Sequence, residues 1–331
     1  MNWSACACLI GAALVSGAAY AAPAAPAKAD DYPSRPVRYM VPFAPGGAAD
    51  FVARLMQPRL SEFLGQQVVI DNRAGAAGNV GMEVVARSSP DGYTIMLGSV
   101  GLVAINPVVF PKFPVIPLRD FIGIMQITDV PGALVVHPSV PVKSASEFVA
   151  YLKANPGKLN YGSPGAGSAN RLEMEMFRII TGTQMTHVPY KGGAGQAVTA
   201  LLGNEVQTMF VTFTSVVSFV KQGRLRMLGV VSPERNPVLP DVPAMPELGF
   251  PKLTSGTWQG LFVPSGTPEP VLKKLLAAGT RTMEHPEVVK RLAESGARVV
   301  ISKSPAAFRE YWKSEYERFA KVVRDAKIET E

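Results

Sequence analysis

Val37 to Val41 reads as a short strand and Phe51 to Leu64 as a helix, joined only by Phe43-Ala44-Pro45-Gly46-Gly47-Ala48-Ala49-Asp50. A strand that turns through two glycines straight into a helix leaves first-turn N–H groups bare at the positive end of the helix dipole, which is a ready anion site. A second turn of this kind, Tyr161-Gly162-Ser163-Pro164-Gly165-Ala166-Gly167-Ser168, opens a helix expected over Ala169 to Ile180. Each turn taken alone could equally be a plain tight connection. Two such turns, with few catalytic residue types near either, suggest a chain that holds a small acid and does no chemistry on it.

Elsewhere strand and helix signals alternate. Val68–Ile70, Thr94–Leu97, Val206–Val211 and Met227–Val231 read as strands. Ser144-Ala145-Ser146-Glu147 is a capping box that starts a helix running to about Ala154. Ser304-Pro305 starts a long final helix with Phe308, Trp312, Phe319 and Val323 roughly on one face. Alternation of this kind predicts α/β layers with parallel-rich sheets flanked by helices. The block 131–254 carries its own strand–helix units, whereas 255–331 is strand-poor and is expected to pack back on 35–130. Two lobes follow, 35–130 with 255–331 and 131–254, joined by a two-strand hinge near Thr128–Gly132 and Ser255–Gln259. No internal sequence repeat is visible.

The 331 residues are 47% hydrophobic with a formal net charge of +7, enough for two well-buried cores. The Lys and Arg residues are scattered, with no basic run interleaved with aromatics, which argues against nucleic acid. Residues 1–21 carry no charge, and Leu9–Val15 followed by Ala19-Tyr20-Ala21 reads as a signal peptide, although no Lys or Arg precedes the apolar core. Residues 22–34 read as a flexible arm. Both cysteines, Cys6 and Cys8, lie in the segment expected to be removed, so thiol chemistry is not expected of the mature chain. The three histidines, His137, His187 and His285, lack metal-ligand spacing, and neither a metal nor a cofactor is expected. Gly98-Ser99-Val100-Gly101 misses the spacing of a nucleophile elbow. Gly162-x-x-Gly165-x-Gly167 is likewise not a dinucleotide fingerprint.

Two further Gly-rich segments bear on the cleft. Arg73 precedes Gly75-Ala76-Ala77-Gly78, where it either meets a carboxylate or ties the loop down. Tyr190-Lys191-Gly192-Gly193 offers a hydroxyl and an ammonium beside a turn, or is simply a surface loop.

Eight segments in register resemble one family. They are Tyr32-Pro33-x-Arg35-Pro36, Pro42-Phe43-x-Pro45-Gly46-Gly47-x-x-Asp50, Asn72-Arg73-x-Gly75-Ala76-x-Gly78, Pro90-Asp91-Gly92-Tyr93-Thr94, Tyr161-Gly162-Ser163-x-Gly165-x-Gly167-Ser168, Val188-Pro189-Tyr190-Lys191-Gly192, Leu239-Pro240-Asp241-Val242-Pro243 and Pro264-x-Gly266-Thr267-Pro268. Together they resemble the substrate-binding receptors of tripartite tricarboxylate transporters, the Bug proteins. The resemblance implies a two-lobed, type II-like periplasmic binding protein fold that closes on a small carboxylate and serves a membrane transporter, as a monomer in the periplasm. The ligand-binding residues it implies are Phe43, Ala44, Pro45, Gly46, Gly47, Asp50, Ser99, Ser163, Gly165, Gly167, Ser168, Tyr190 and Lys191.

At three places the chain departs from the family pattern. Arg171 stands where a His is usual, and Ala200 and Val211 stand where Asp is usual. If these positions line the cleft, a ligand with a second carboxylate is favoured over one with an ammonium. Two other functions share much of this reading. One is a receptor that signals to a membrane sensor kinase, and the other is a secreted hydrolase, which requires a nucleophile–base pair near the cleft.

Overall fold

The structure is a computed structural model that describes residues 32–165, 168–190, 192–251, 253 and 256–325. The expected signal peptide and most of the expected arm lie outside the described residues. The chain begins β1 (Val37–Val41), α1 (Ala48–Leu64), β2 (Val68–Asn72), α2 (Asn79–Ala86) and β3 (Thr94–Ser99). Two short helices, α3 (Asn106–Val109) and α4 (Pro117–Asp120), lead into β4 (Phe121–Val130). The middle holds β5 (Gly132–Val136), α5 (Ala145–Ala154), β6 (Asn160–Ser163), α6 (Ala169–Thr181), β7 (Thr186–Pro189), α7 (Ala194–Leu202), β8 (Thr208–Thr212), α8 (Val217–Lys221) and β9 (Arg226–Val231). The last part is β10 (Thr257–Pro264), α9 (Glu269–Glu284), α10 (Pro286–Ser295), β11 (Arg298–Val299) and α11 (Pro305–Asp325).

The strands form two sheets flanked by helices, in a two-lobed α/β fold. One has the order β11-β4-β10-β3-β1-β2 and the other β7-β6-β8-β5-β9. Both are mixed. Parallel pairing joins β1 to β2 and β3, and joins β6 to β7 and β8. The strand arriving from the other lobe, β10 or β5, enters antiparallel between two resident strands. The two lobes therefore repeat one topology, although the sequence shows no repeat. The chain leaves the first sheet through Pro131, whose carbonyl accepts from Phe213 N at 2.8 Å. It returns at Thr257, which pairs with Val130.

Local signals place the helix ends. Ser144 Oγ accepts from Glu147 N at 3.2 Å, and the Glu147 carboxylate reaches back to Lys143 N at 2.7 Å, one residue beyond the usual capping-box partner. Gly182, with φ +65°, stops α6 in the left-handed conformation that glycine adopts without strain. The aromatic face of α11 buries Phe308, Trp312, Phe319 and Val323 on the first sheet. A Cβ at Gly260 or Gly123 would lie 2.5 or 2.8 Å from the Phe308 ring, so those glycines make its seat. Removing such a ring costs about 3–5 kcal/mol.

The end of the expected arm is corrected by the structure. Tyr32 is buried, with its ring edge-on to Tyr93 at 5.1 Å, and its hydroxyl donates to Gly92 O at 2.7 Å. Ser34 N donates to the Tyr93 hydroxyl at 2.9 Å. Aromatic burial and these bonds hold Tyr32–Ser34 on the first lobe.

Candidate functional site

A cavity of about 80 Å³ lies between the lobes. Three helix N-termini converge on it. The first lobe contributes Gly47, Ala48 and Ala49 at the start of α1, and the second contributes Ser168, Ala169 and Asn170 at the start of α6 and Ala194 at the start of α7. No side chain caps α1 or α7, whose N-caps are Gly47 and Gly193. Their first-turn N–H groups are thus left for whatever occupies the space. Among the described residues, no charged side chain lines the cavity. Its walls are largely apolar, with Phe43 and Leu102 the bulkiest side chains.

The lobes meet at these turns. A Cβ on Gly47 would lie 3.9 Å from Gly195 N and 4.0 Å from Ala194 Cβ. A Cβ on Gly165 would lie 3.3 Å from Ala77 Cβ. Ala77 belongs to the third Gly-rich turn, at φ +54°, and lines the cavity. Arg73 of that turn pairs with Asp71 at 3.0 Å, so it ties the loop down.

Of the residues expected to meet a ligand, Phe43, Ala44, Gly47, Ser99 and Ser168 lie on the cavity wall. Others stand behind it. Asp50 is buried, and its carboxylate accepts from Gly46 N at 3.0 Å, Arg54 Nε at 2.8 Å and Asn72 Nδ2 at 3.0 Å. Burial alone would raise its pKa, but the bonds from Arg54, Gly46 and Asn72 outweigh that and hold the carboxyl below its ordinary range. Asp50 therefore braces the Pro45-Gly46-Gly47 turn rather than facing the cavity. Pro45 and Gly46 form that turn without lining the space, and Gly46, at φ +89°, takes a backbone conformation suited to glycine.

In the second lobe, Ser163 is fully buried and does not line the cavity. Its hydroxyl lies 2.7 Å from His187 Nε2, donates to Gly165 O at 3.1 Å and accepts from Gly165 N at 3.2 Å. Gly165 shapes the turn at φ +126°. Ser168 donates to Gly165 O at 2.8 Å and caps α6 by accepting from Arg171 N at 3.3 Å. Tyr190 also stands off the wall. It packs on the second-lobe core, and its hydroxyl engages Glu205. Gly167 and Lys191 lie outside the described residues.

The three departures from the family pattern do not reach the cavity. Ala200 and Val211 are buried in the second-lobe core, where they pack among Ala197, Leu201 and Val230. Arg171 is absent from the wall, and its charge acts instead on His187 and Tyr161. The charge argument that depended on these three positions is therefore corrected: two are apolar packing positions, and the third faces a different network.

Four polar wall residues were missed: Asn170, Thr212, Thr257 and Gln259. Thr257 and Gln259 stand on β10 at the point of re-entry, and Thr212 ends β8 opposite Gly132. Gln259 Oε1 accepts from Thr128 Oγ1 at 3.2 Å, which joins the two hinge strands by side chains. The expected hinge at Ser255–Gln259 was the available signal, since a crossing strand between lobes must run along the cleft floor.

Two lobes of repeated topology, joined by paired strands and meeting over a cavity ringed by helix N-termini, define the fold of periplasmic binding proteins. The chain belongs to the tripartite tricarboxylate transporter family of receptors, whose family model matches residues 52–327. It is 36% identical over 303 residues to the protein BugT of Bordetella pertussis, covering 91% of this chain and 92% of that one. Among solved structures, MatC from Rhodopseudomonas palustris with bound malate matches with a TM-score of 0.84 and 34% identity, covering 88% of this chain and all (100%) of that one. An R. palustris protein solved with adipate matches with a TM-score of 0.87 and 33% identity, covering 90% and 99% of the two chains. The periplasmic binding protein BugD matches with a TM-score of 0.87 and 32% identity, covering 91% of this chain and all (100%) of that one.

Proposed function

We propose that this protein is an extracytoplasmic receptor that closes its lobes on a small organic acid and delivers it to a tripartite tricarboxylate-type membrane transporter. The observation that carries the reading is the convergence of three helix N-termini on a cavity lined by no charged side chain among the described residues. Such a site holds a carboxylate through backbone N–H groups and helix dipoles. The malate and adipate bound by two relatives support a dicarboxylate of a few carbons. Family membership supports delivery to a permease and a periplasmic location.

The preference against amino acids now has a different basis. An ammonium in this cavity meets no carboxylate on the described wall, and a buried charge without a partner is costly. The test is a thermal-shift screen of ligand-free protein against malate, adipate and zwitterionic amino acids of similar size. The acids raise the melting temperature and the amino acids do not. An amino acid as the best stabiliser, with no shift from the acids, overturns the charge preference.

Ser163 and His187 do form a serine–histidine pair. Their environment argues against a hydrolase. Burial, reinforced by the charge of Arg171, pushes His187 down to about 4, which makes it a weak base. The hydroxyl is fully buried and engaged by Gly165, away from the cavity wall.

A further inference from the structure

Glu173 lies one helical turn past the cavity residue Asn170 on α6, and it is 3% exposed. Its carboxyl packs on the backbone of the hinge. A Cβ on Gly132, the first residue after Pro131, would lie 3.0 Å from Oε2 and 3.1 Å from Oε1. Oε2 faces Asn170 Nδ2 at 3.5 Å, and Oε1 has no hydrogen-bond partner among the described residues. The same helix is wedged between the lobes. Ala169 and Leu172 pack in the first-lobe cluster with Trp312 and Phe319, while Met174 and Phe177 pack in a second-lobe cluster. From α11, Arg318 is the cation that acts on Glu173, and Glu315 already holds Arg318 by two bonds of 2.8 Å. The β5 element presents Gly132, which is uncharged.

We infer that Glu173 is a positioning residue for the cleft: its hinge-packed carboxyl holds the Asn170 amide at the cavity wall and takes up a proton when the lobes close on the ligand. This rests on the carboxylate-receptor reading. An ionised carboxyl with one weak donor and a bare oxygen is strongly disfavoured in such a place. Burial outweighs the pull of Asn170 and Arg318 and raises the carboxyl from its ordinary range to about 8. In the inferred cycle, an opening that draws α6 away from Trp312 and Phe319 of α11 returns the carboxyl to water and to its ordinary acidity. Closure is therefore favoured with Glu173 protonated. The advantage is complete below the ordinary value of 4.5 and fades as pH rises through about 8.

The test titrates malate or adipate, whichever binds more tightly, into wild type and Glu173→Gln by calorimetry in two buffers of different ionisation enthalpy. Wild type should take up close to one proton per ligand near neutral pH and bind about fivefold or more weakly at about pH 8 than at about pH 6. Glu173→Gln should take up none and bind with the same affinity at both. Zero uptake in wild type, or equal uptake in the variant, overturns the inference. If neither acid binds, the dicarboxylate reading fails separately, and unfolding midpoints still decide the state of Glu173. Wild type should then lose stability relative to Glu173→Gln between about pH 5 and about pH 8. Parallel profiles overturn the proton assignment.

Discussion

Asn72 donates its side-chain amide to Asp50 Oδ1 at 3.0 Å, and this bond ties the end of β2 to the turn that opens α1. The other carboxylate oxygen holds Gly46 N and Arg54, so one buried acid fixes the whole Pro45-Gly46-Gly47 turn. Replacing Asp50 with Ala strands buried donors, at a cost of about 1–3 kcal/mol, and loosens the turn of the proposed anion site. Chemical denaturation should show that loss, and calorimetry should show weaker acid binding. The carboxyl is held below 3.8, so its contribution is present above that value and disappears as pH falls through the lowered folded value. Acid unfolding of wild type should show this step, and Asp50→Asn should lack it.

Gly47 tests closure itself. Its φ of −85° is open to any residue, and a single Cβ there would still clear Gly195 and Ala194 by 3.9 and 4.0 Å. Gly47→Ala should therefore bind almost normally. Gly47→Leu should place its branches between the lobes and raise the dissociation constant tenfold or more, about 1.4 kcal/mol. Equal affinities for the two variants would remove Gly47 from the closing interface.

Ser168 separates stability from binding. Its hydroxyl caps α6 and lines the cavity, so Ser168→Ala should cost about 1 kcal/mol. Ser168→Asp keeps a good N-cap but places a negative charge at the cavity. It should fold as stably as wild type and lose acid binding. Retained binding in Ser168→Asp would mean that the anion sits elsewhere.

His187 should report on acid sensitivity of the second lobe. Its folded value of about 4 lies below the ordinary 6.5, so the neutral ring contributes stability that is present above 6.5 and lost as pH falls through about 4. Relative to His187→Gln, wild type should lose stability across that window, as read from unfolding midpoints. A difference that does not change with pH would place the histidine in a less buried setting.

Much of the fold was legible because it is governed by local rules. The glycine turns, the Ser144 cap and the aromatic stripe of α11 each specify an element within a few residues. The mixed sheets were less so, because β5 and β10 pair with strands far away in sequence. In the site, glycine marked the turns but not the division of labour within them. Asp50 and Ser163 share short segments with wall residues, yet their hydrogen bonds turn them inward. Thr212, Thr257 and Gln259 come together only when two crossing strands pair, and no local pattern announces that. Ala200 and Val211 carried no charge to place, and their packing among Ala197 and Val230 is a property of the assembled core.

Every residue except proline carries a peptide N–H, so a grip made of helix starts is inherited through the path of the chain rather than through particular side chains. Ala48, Ala49, Ala169 and Ala194 set the shape of the room around that grip. Under the proposed function, single substitutions among them alter which acid body is accepted while leaving the hold on its carboxylate in place. On that reading, drift from one acid to another need not pass through an ancestor that bound nothing.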